Sequence, residues 1–204
     1  MSDENTIDFW FSMGSTYTYL TVMRLPTVEQ SAGVRFRWRP FYLGRIFTEM
    51  NNVPFADKPA KQAYMWRDIE RRASIYDILL DVPAPYPVKQ VVLANRIAYL
   101  GIQGGWGEAF VRASYRQWFQ HGQLPGEEPN LSSSLREAGQ DPQRVLSLAD
   151  DPMTDQALVA ETNEARRLGI FGSPTFVAGS ELFWGDDRLD EAVTWLRRGK
   201  LGSR

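Results

Sequence analysis

The 204-residue chain contains no cysteine. That excludes disulfides, a thiolate nucleophile on the protein and cysteine-based metal sites. Histidine is almost as scarce. His121 is the single one, in the polar stretch QHGQLPG, which reads as a surface loop. A histidine-based metal cluster and a Ser–His–Asp triad would both have to rest on it, so neither is expected. No metal is expected at all. Nowhere do 18 apolar residues run uninterrupted, which predicts no membrane-spanning helix. Excess charge is absent too, with 23 basic and 25 acidic residues, so nothing resembles a nucleic-acid footprint. The opening MSDENTID lacks the basic and apolar regions of a secretory leader. The expectation is a cytoplasmic protein.

What is present is a core-forming supply of apolar residues, 43 % of the chain, with two shifts of pattern along it. In residues 7–20, IDFWFSMGSTYTYL, Ile7, Phe9 and Phe11 alternate with Asp8, Trp10 and Ser12. That predicts a short strand. Met13 and Gly14 end it. Ser15 then opens a helical pattern starting near Thr16, with Tyr17, Leu20 and Met23 on one face. A serine at a strand-to-helix junction is a helix cap or a reactive group beside free N–H donors, and the spacing leaves both open. Pro26 should kink or break this helix, and Gly33 suits its C-cap. Val34, Phe36 and Trp38 alternate with arginines in a second strand, so the opening reads as a parallel β-α-β unit.

The next 110 or so residues are mostly helical in pattern. They include an amphipathic segment, Glu108–Phe119, with Phe110, Val111, Tyr115 and Phe119 as core. A helix starting at Pro59 carries many charges, Asp68 and Arg72 among them, which read as a solvated face apart from Lys61. Residues 81–87 hold three prolines and should be irregular, and Gly101–Gly107 should break a helix. Strand character returns at Thr175–Ala178 and Glu181–Phe183, joined by Gly179 and Ser180 as a hairpin. A final amphipathic helix, Leu189–Leu196, follows. Taken alone, Asp187 is its N-cap, Asp186 a solvated turn residue, and Gly172-Ser173-Pro174 a turn before a strand. The order β-α-β, helical block, β-β-α predicts an α/β protein with a mixed sheet.

Four segments carry a resemblance. They are DFWFSMGSTYTYL; RPFYLGRIF with Asn52, Pro54 and PAKQAYM; VLANRIAYL; and GIFGSPTFVAGSELFWGDDRLD. In this order they resemble the kappa-class glutathione transferases and the 2-hydroxychromene-2-carboxylate isomerases. The resemblance implies a thioredoxin-like fold of the DsbA and kappa-class type with a large all-helical insertion. Its divisions are 1–46 and 169–204 for the two thioredoxin-like parts and 47–168 for the insertion. It also implies glutathione as cofactor. Ser15 would donate a hydrogen bond to the glutathione sulfur and favour the thiolate. Pro174 would be a cis-proline, exposing the Ser173 backbone to the cysteinyl part. Asp187, with Asp186 second, would meet the γ-glutamyl ammonium. Asn52 would be an amide partner, and Lys61 would pair with a carboxylate or simply be solvated. Thr16 and Ser173 depart from the family's usual proline and valine and bring an altered substrate pocket into view. The activity implied is a glutathione-dependent isomerase interconverting 2-hydroxychromene-2-carboxylate and trans-o-hydroxybenzylidenepyruvate, or a close aromatic-degradation intermediate. Glutathione transfer to an electrophile and a non-enzymatic thioredoxin-like binding or folding module are the alternatives. The partners expected are glutathione and a small aromatic substrate, and the resemblance is compatible with a homodimer.

Overall fold

The computed structural model describes residues 5–52, 55 and 58–202. Met1–Glu4 of the opening and Pro54 of the second resembling segment lie outside them. Strand β1, Thr6–Phe11, runs parallel to β2, Arg35–Pro40, with Phe9 opposite Trp38. Helix α1, Thr18–Ala32, makes the crossover between them. On its other side β1 pairs antiparallel with β3, Thr175–Ala178, and β3 pairs antiparallel with β4, Glu181–Trp184. The sheet order is β2-β1-β3-β4. The mixed sheet therefore joins strands from the two ends of the chain, and helices fill the sequence between.

Those helices are α2 (Leu43–Glu49), α3 (Pro59–Ile75), α4 (Val91–Gly104), α5 (Gly107–His121), α6 (Asn130–Glu137), α7 (Pro142–Ala149) and α8 (Pro152–Arg167). The last helix, α9, covers Leu189–Arg198. None of the described helices is long and apolar enough to cross a membrane.

The period-two pattern of β1 builds a core on each face of the strand. Phe9 and Phe11 lie under the indole of Trp38 at ring-centre distances of 5.0 and 5.5 Å, and Phe9 stacks 5.7 Å from Phe176. Trp10, on the opposite face, is equally buried, packed with Phe41, Leu43, Ile46, Ala165 and Ile170. Helix α5 carries the insertion into the first core. Its Phe110, Val111, Tyr115 and Phe119 are fully buried, and Phe119 stacks 4.2 Å from Tyr19 of α1.

Three expectations change. Pro26 neither ends nor interrupts α1. A proline inside a helix costs about 3 kcal/mol, but Tyr19, Leu20, Val22 and Leu25 of the same helix are fully buried, and their burial outweighs it. His121 ends α5 as an exposed residue rather than lying in a loop. Finally, the break expected over Gly101–Gly107 narrows to Gly105 and Trp106, because α4 continues to Gly104. The glycines there serve a tight crossing between α4 and α5. A Cβ on Gly107 would stand 2.4 Å from the backbone nitrogen of Ile102, and one on Gly101 would stand 2.6 Å from the Gly107 Cα. Gly107→Ala must push backbone apart, so it should destabilise the protein by about 1–3 kcal/mol, the usual range for overpacking. A urea-denaturation midpoint unchanged from wild type would contradict this crossing.

Candidate functional site

Because β1 and β3 are neighbours, the loop leaving β1 and the bend entering β3 meet at one end of the sheet. The Ser15 hydroxyl donates to the Ser173 carbonyl at 2.6 Å. The Ser173 hydroxyl accepts from the Ser12 N–H at 2.9 Å and lies 2.9 Å from the Thr18 hydroxyl. The Ser173–Pro174 peptide bond is cis, and the Pro174 carbonyl accepts from the Gly185 N–H at 2.9 Å. Two insertion helices fasten the loop from behind. Asn95 of α4 accepts from the Met13 N–H at 2.9 Å and donates to the Ser12 hydroxyl at 3.2 Å. Tyr115 of α5 donates to the carbonyls of Ser12 and Ser15, each at 3.1 Å. Burial pushes the Tyr115 phenol well above its ordinary value and keeps it a neutral donor.

Ser15 is therefore not a helix cap. The first helical residue of α1 is Thr18, its N-cap is Tyr17, and no side chain caps it. The Ser15 hydroxyl is turned across the loop to Ser173 instead. Thr16 is buried, its hydroxyl donating to the Met65 sulfur at 3.0 Å.

Two clefts open on either side of this junction. The larger, 350 Å³, is lined by Tyr17, Pro174, Trp184 and the charged residues Asp68, Arg72 and Asp187. The Tyr17 hydroxyl donates to Asp68 at 3.0 Å, and Arg72 donates to the same oxygen at 3.1 Å. Burial first, and then the Asp68 carboxylate, hold the Tyr17 phenol far above its ordinary value. Arg72 and Arg188 stand 3.8 and 3.5 Å from Asp187. Asp68 and Arg72 thus face a cleft, where the sequence suggested a solvated helix face. Their spacing of four residues, on the helix that buries Met65 and Ile69, is the signal that could have placed them beside the core.

The two aspartates separate sharply. Asp186 is buried, 1 % exposed, where a solvated turn residue was expected. One of its oxygens accepts from Thr21 at 3.0 Å and from Arg24 at 3.2 Å, and the other, Oδ2, is buried without a hydrogen-bond partner among the described residues. Burial raises its carboxyl above the ordinary value, against the opposing pull of Arg24 and Thr21. Asp187 is exposed in the short 3₁₀ turn Asp186–Arg188. It does not cap α9, whose N-cap is Arg188. Arg24 spans the pair of turns, reaching Asp190 at 2.8 Å as well.

The smaller cleft, 160 Å³, is bordered by Ser15 and Ser12 and walled by residues of α2, α4 and the irregular segment before α4. Ser15 sits where this cleft approaches the bend that lines the charged one. Asn52 and Lys61 line neither cleft. Asn52 is half-buried, its N–H donating to the Phe47 carbonyl at 2.9 Å. Lys61 is exposed, its ammonium 5.6 Å above the Phe55 ring. The structure thus brings Ser15, Ser173, Pro174, Asp186 and Asp187 together and leaves Asn52 and Lys61 apart from them. The sequence reading missed Ser12, Asn95, Thr18 and Tyr115, all buried polar residues. Among the described residues no group of acidic and histidine side chains could hold a metal ion.

The charged cleft suits a zwitterionic amino-acid end. Asp187 offers a carboxylate, Arg72 and Arg188 offer guanidinium groups, and the Ser173 backbone offers a hydrogen-bonding edge. That donor set fits glutathione.

Comparison with known proteins agrees with this architecture. The family model of the DSBA-like thioredoxin domain matches residues 6–196. A 2-hydroxychromene-2-carboxylate isomerase of Sphingobium xenophagum is 26 % identical over 94 % of this chain and 97 % of its own. Glutathione S-transferase kappa 1 of Caenorhabditis elegans is 28 % identical over 90 % of this chain and 87 % of its own. A solved 2-hydroxychromene-2-carboxylate isomerase superposes with a TM-score of 0.83 at 25 % identity, covering 95 % of each chain.

Asp186 should be structural first. Asp186→Ala takes the buried carboxylate from Arg24, which keeps only the exposed Asp190 as its charged partner, and should cost about 3 kcal/mol, the lower end for breaking a buried pair. The raised carboxyl also sets a sign. A folded-state pKa above the unfolded one gives stability that is fullest below the ordinary carboxylate range and falls as pH rises through the raised value. Denaturant titrations across weakly acidic pH should show this slope in wild type and not in Asp186→Ala.

Proposed function

The chain belongs to the DSBA-like thioredoxin domain family, and on that premise we propose that it is a glutathione-dependent enzyme with Ser15 at the glutathione sulfur. The fold is thioredoxin-like with a mixed sheet and a large helical insertion, closely related to the 2-hydroxychromene-2-carboxylate isomerases and kappa-class transferases. In this reading residues 1–46 and 169–204 form the thioredoxin-like part, 47–168 form the insertion, and the protein works in the cytoplasm. The observation that carries the proposal is the Ser15–Ser173 hydrogen bond at the meeting of a charged and an uncharged cleft.

Glutathione, when bound, would supply a thiolate that adds to a conjugated system, permits rotation about the bond made single, and leaves again. The protein's own part follows from its hydrogen bonds. To serve the sulfur, the Ser15 O–H must turn from the Ser173 carbonyl. That frees the carbonyl to accept an N–H from the ligand's cysteinyl residue, so one hydrogen bond replaces another and no acceptor is left bare. Asn95 and Tyr115 hold the loop backbone still while the hydroxyl turns. No base is needed on Ser15, because it donates a proton-sharing bond and does not attack. Asp187 meets the γ-glutamyl ammonium, with Arg72 at the adjoining carboxylate. Asp186, Asn52 and Lys61 are secondary. Asp186 shapes the turn through Arg24, and the other two contribute only where the ligand extends to the start of α3.

The first reading of the reaction is isomerisation of a conjugated aromatic intermediate, of the 2-hydroxychromene-2-carboxylate kind or close to it. The isomerase relatives support it. Glutathione transfer is the second, supported by the kappa-class relative and by the apolar character of the smaller cleft. An isomer keeps the substrate's mass, whereas a conjugate gains glutathione.

Calorimetry with reduced glutathione should show saturable binding. Absence of binding up to ~10 mM, beyond the weakest useful affinity, would leave only a non-enzymatic module. Ser15→Ala should still bind glutathione while raising the bound thiol's pKa by about 1–2 and slowing the reaction about 10- to 100-fold, the worth of one hydrogen bond to a charged group. Ultraviolet titration of the bound thiol, paired with rates, reads both effects. Equal values in the two proteins would remove Ser15 from the chemistry.

A further inference from the structure

The two clefts differ in charge. The larger carries Asp68, Arg72, Asp187 and Arg188. Among the described residues that line the smaller one there is no acidic residue, no lysine, no arginine and no histidine. Its apolar surface comes from three directions: Leu43 and Phe47 from α2, Val88 from the segment before α4, and Val91 from α4 itself. Two glycines let these walls close up. A Cβ on Gly14 would stand 2.9 Å from a Val91 methyl, and a Cβ on Gly44 would stand 2.6 Å from the Tyr42 ring.

Only hydroxyls remain as polar groups among the cleft's side chains. That of Ser12 is turned inward to Asn95. Those of Tyr42 and Tyr86 are left to a ligand, and that of Ser15 rests on the Ser173 carbonyl. Burial raises the Tyr86 phenol above its ordinary value, so it stays protonated and able to donate. A carboxylate entering this space would give up water and meet no cationic side chain among the described lining residues, which is costly for an ion. An uncharged ring suffers no such loss and gains by burying apolar area.

We infer that the acceptor substrate is an uncharged aromatic electrophile, a conjugated ketone or aldehyde without a carboxylate, seated between α2 and α4 with the Tyr42 and Tyr86 phenols as hydrogen-bond donors. This rests on the proposed function only in making this cleft the acceptor side of Ser15. It sets the protein apart from relatives named for a carboxylate substrate. Within the proposed reactions it selects intermediates that lack the acid group. The specificity resides in what the cleft omits, and one added cation should reverse it.

The test uses the full chain and a matched pair of probes. Benzylideneacetone and benzylidenepyruvate share a styryl ketone and differ in ending in a methyl or a carboxylate. Their affinities are measured by calorimetry without glutathione. Their glutathione-dependent rates are then each divided by the uncatalysed rate with glutathione, which removes their different intrinsic reactivities. Wild type should favour benzylideneacetone by about tenfold or more in both measures, a difference well outside the error of a dissociation constant. Phe47→Lys should bring benzylidenepyruvate to parity or beyond. Val91→Lys repeats the reversal from the opposite wall should Phe47→Lys not fold. Equal or tighter binding of benzylidenepyruvate by wild type overturns the inference. So does failure of both probes to bind, or a preference that neither folded variant moves. Glutathione calorimetry is a separate reading. Benzylideneacetone binding without any glutathione binding would overturn the proposed function while leaving the uncharged seat in place.

Discussion

The hydrogen bond from the Ser15 hydroxyl to the Ser173 carbonyl ties together two loops 158 residues apart in sequence. It exists because β1 and β3 are adjacent in the sheet, which brings the exit of one strand beside the entrance of the other. A bond between two loops alone would be weak, worth about 1 kcal/mol. Its surroundings make it definite. Ser12, Thr18 and Ser173 bond to one another below it, and Asn95 and Tyr115 hold the same loop from the insertion. Ser12, Thr18, Ser173, Asn95 and Tyr115 are buried, so each is costly to leave unpaired. The insertion is thus more than a cover for the sheet. Two of its helices fix the backbone on which the Ser15 hydroxyl is mounted.

From that junction the site divides by electrostatics. On one side Tyr17, Asp68, Arg72 and Asp187 form a chain of charge-assisted contacts from α3 to the turn before α9. It can exchange internal partners for those of a zwitterion at little net cost, because opposite charges are already side by side. On the other side the walls are apolar with neutral hydroxyls. A thiolate placed between the two would face donors from Ser15 and a low-polarity space beyond it, where electrostatic interactions act with less screening.

Much of this was legible in the sequence where a local pattern decided the outcome. The alternation in β1 and β2, the Gly179-Ser180 hairpin, the Pro59 helix start and the Gly33 cap all depend on short-range rules, and the structure has them. The thioredoxin-like fold with its insertion came from the resemblance, since no spacing rule sets strand order. Tertiary effects account for the rest. Pro26 does not break α1 because buried neighbours sustain the helix. Asp186 was misread because Arg24, 162 residues away, gives it a partner in the interior. Asp68 and Arg72 looked like a solvated face because sequence shows charge but not the wall opposite. Of the cap readings, both Ser15 and Asp187 failed for one reason. Neither sits at the position that caps its helix: Ser15 lies two residues before the Tyr17 N-cap and turns to Ser173, and Asp187 lies in the 3₁₀ turn one residue before the Arg188 N-cap.

The two departures from the family pattern can now be given physical content. Thr16 directs its hydroxyl to the Met65 sulfur, and Ser173 directs its own into the Ser12–Thr18 pair. Both added hydroxyls point into the scaffold, and neither residue lines the smaller cleft. Their effect is therefore on how firmly the Ser15 loop is held, through partners that a proline or a valine side chain could not bond. The shape and charge of the smaller cleft come from elsewhere, from α2, α4 and the segment between α3 and α4. In the proposed reading, chemistry at the sulfur and choice of acceptor would thus be carried by separate stretches of chain. One can vary while the other stays fixed, so relatives that share this framework need not share a substrate.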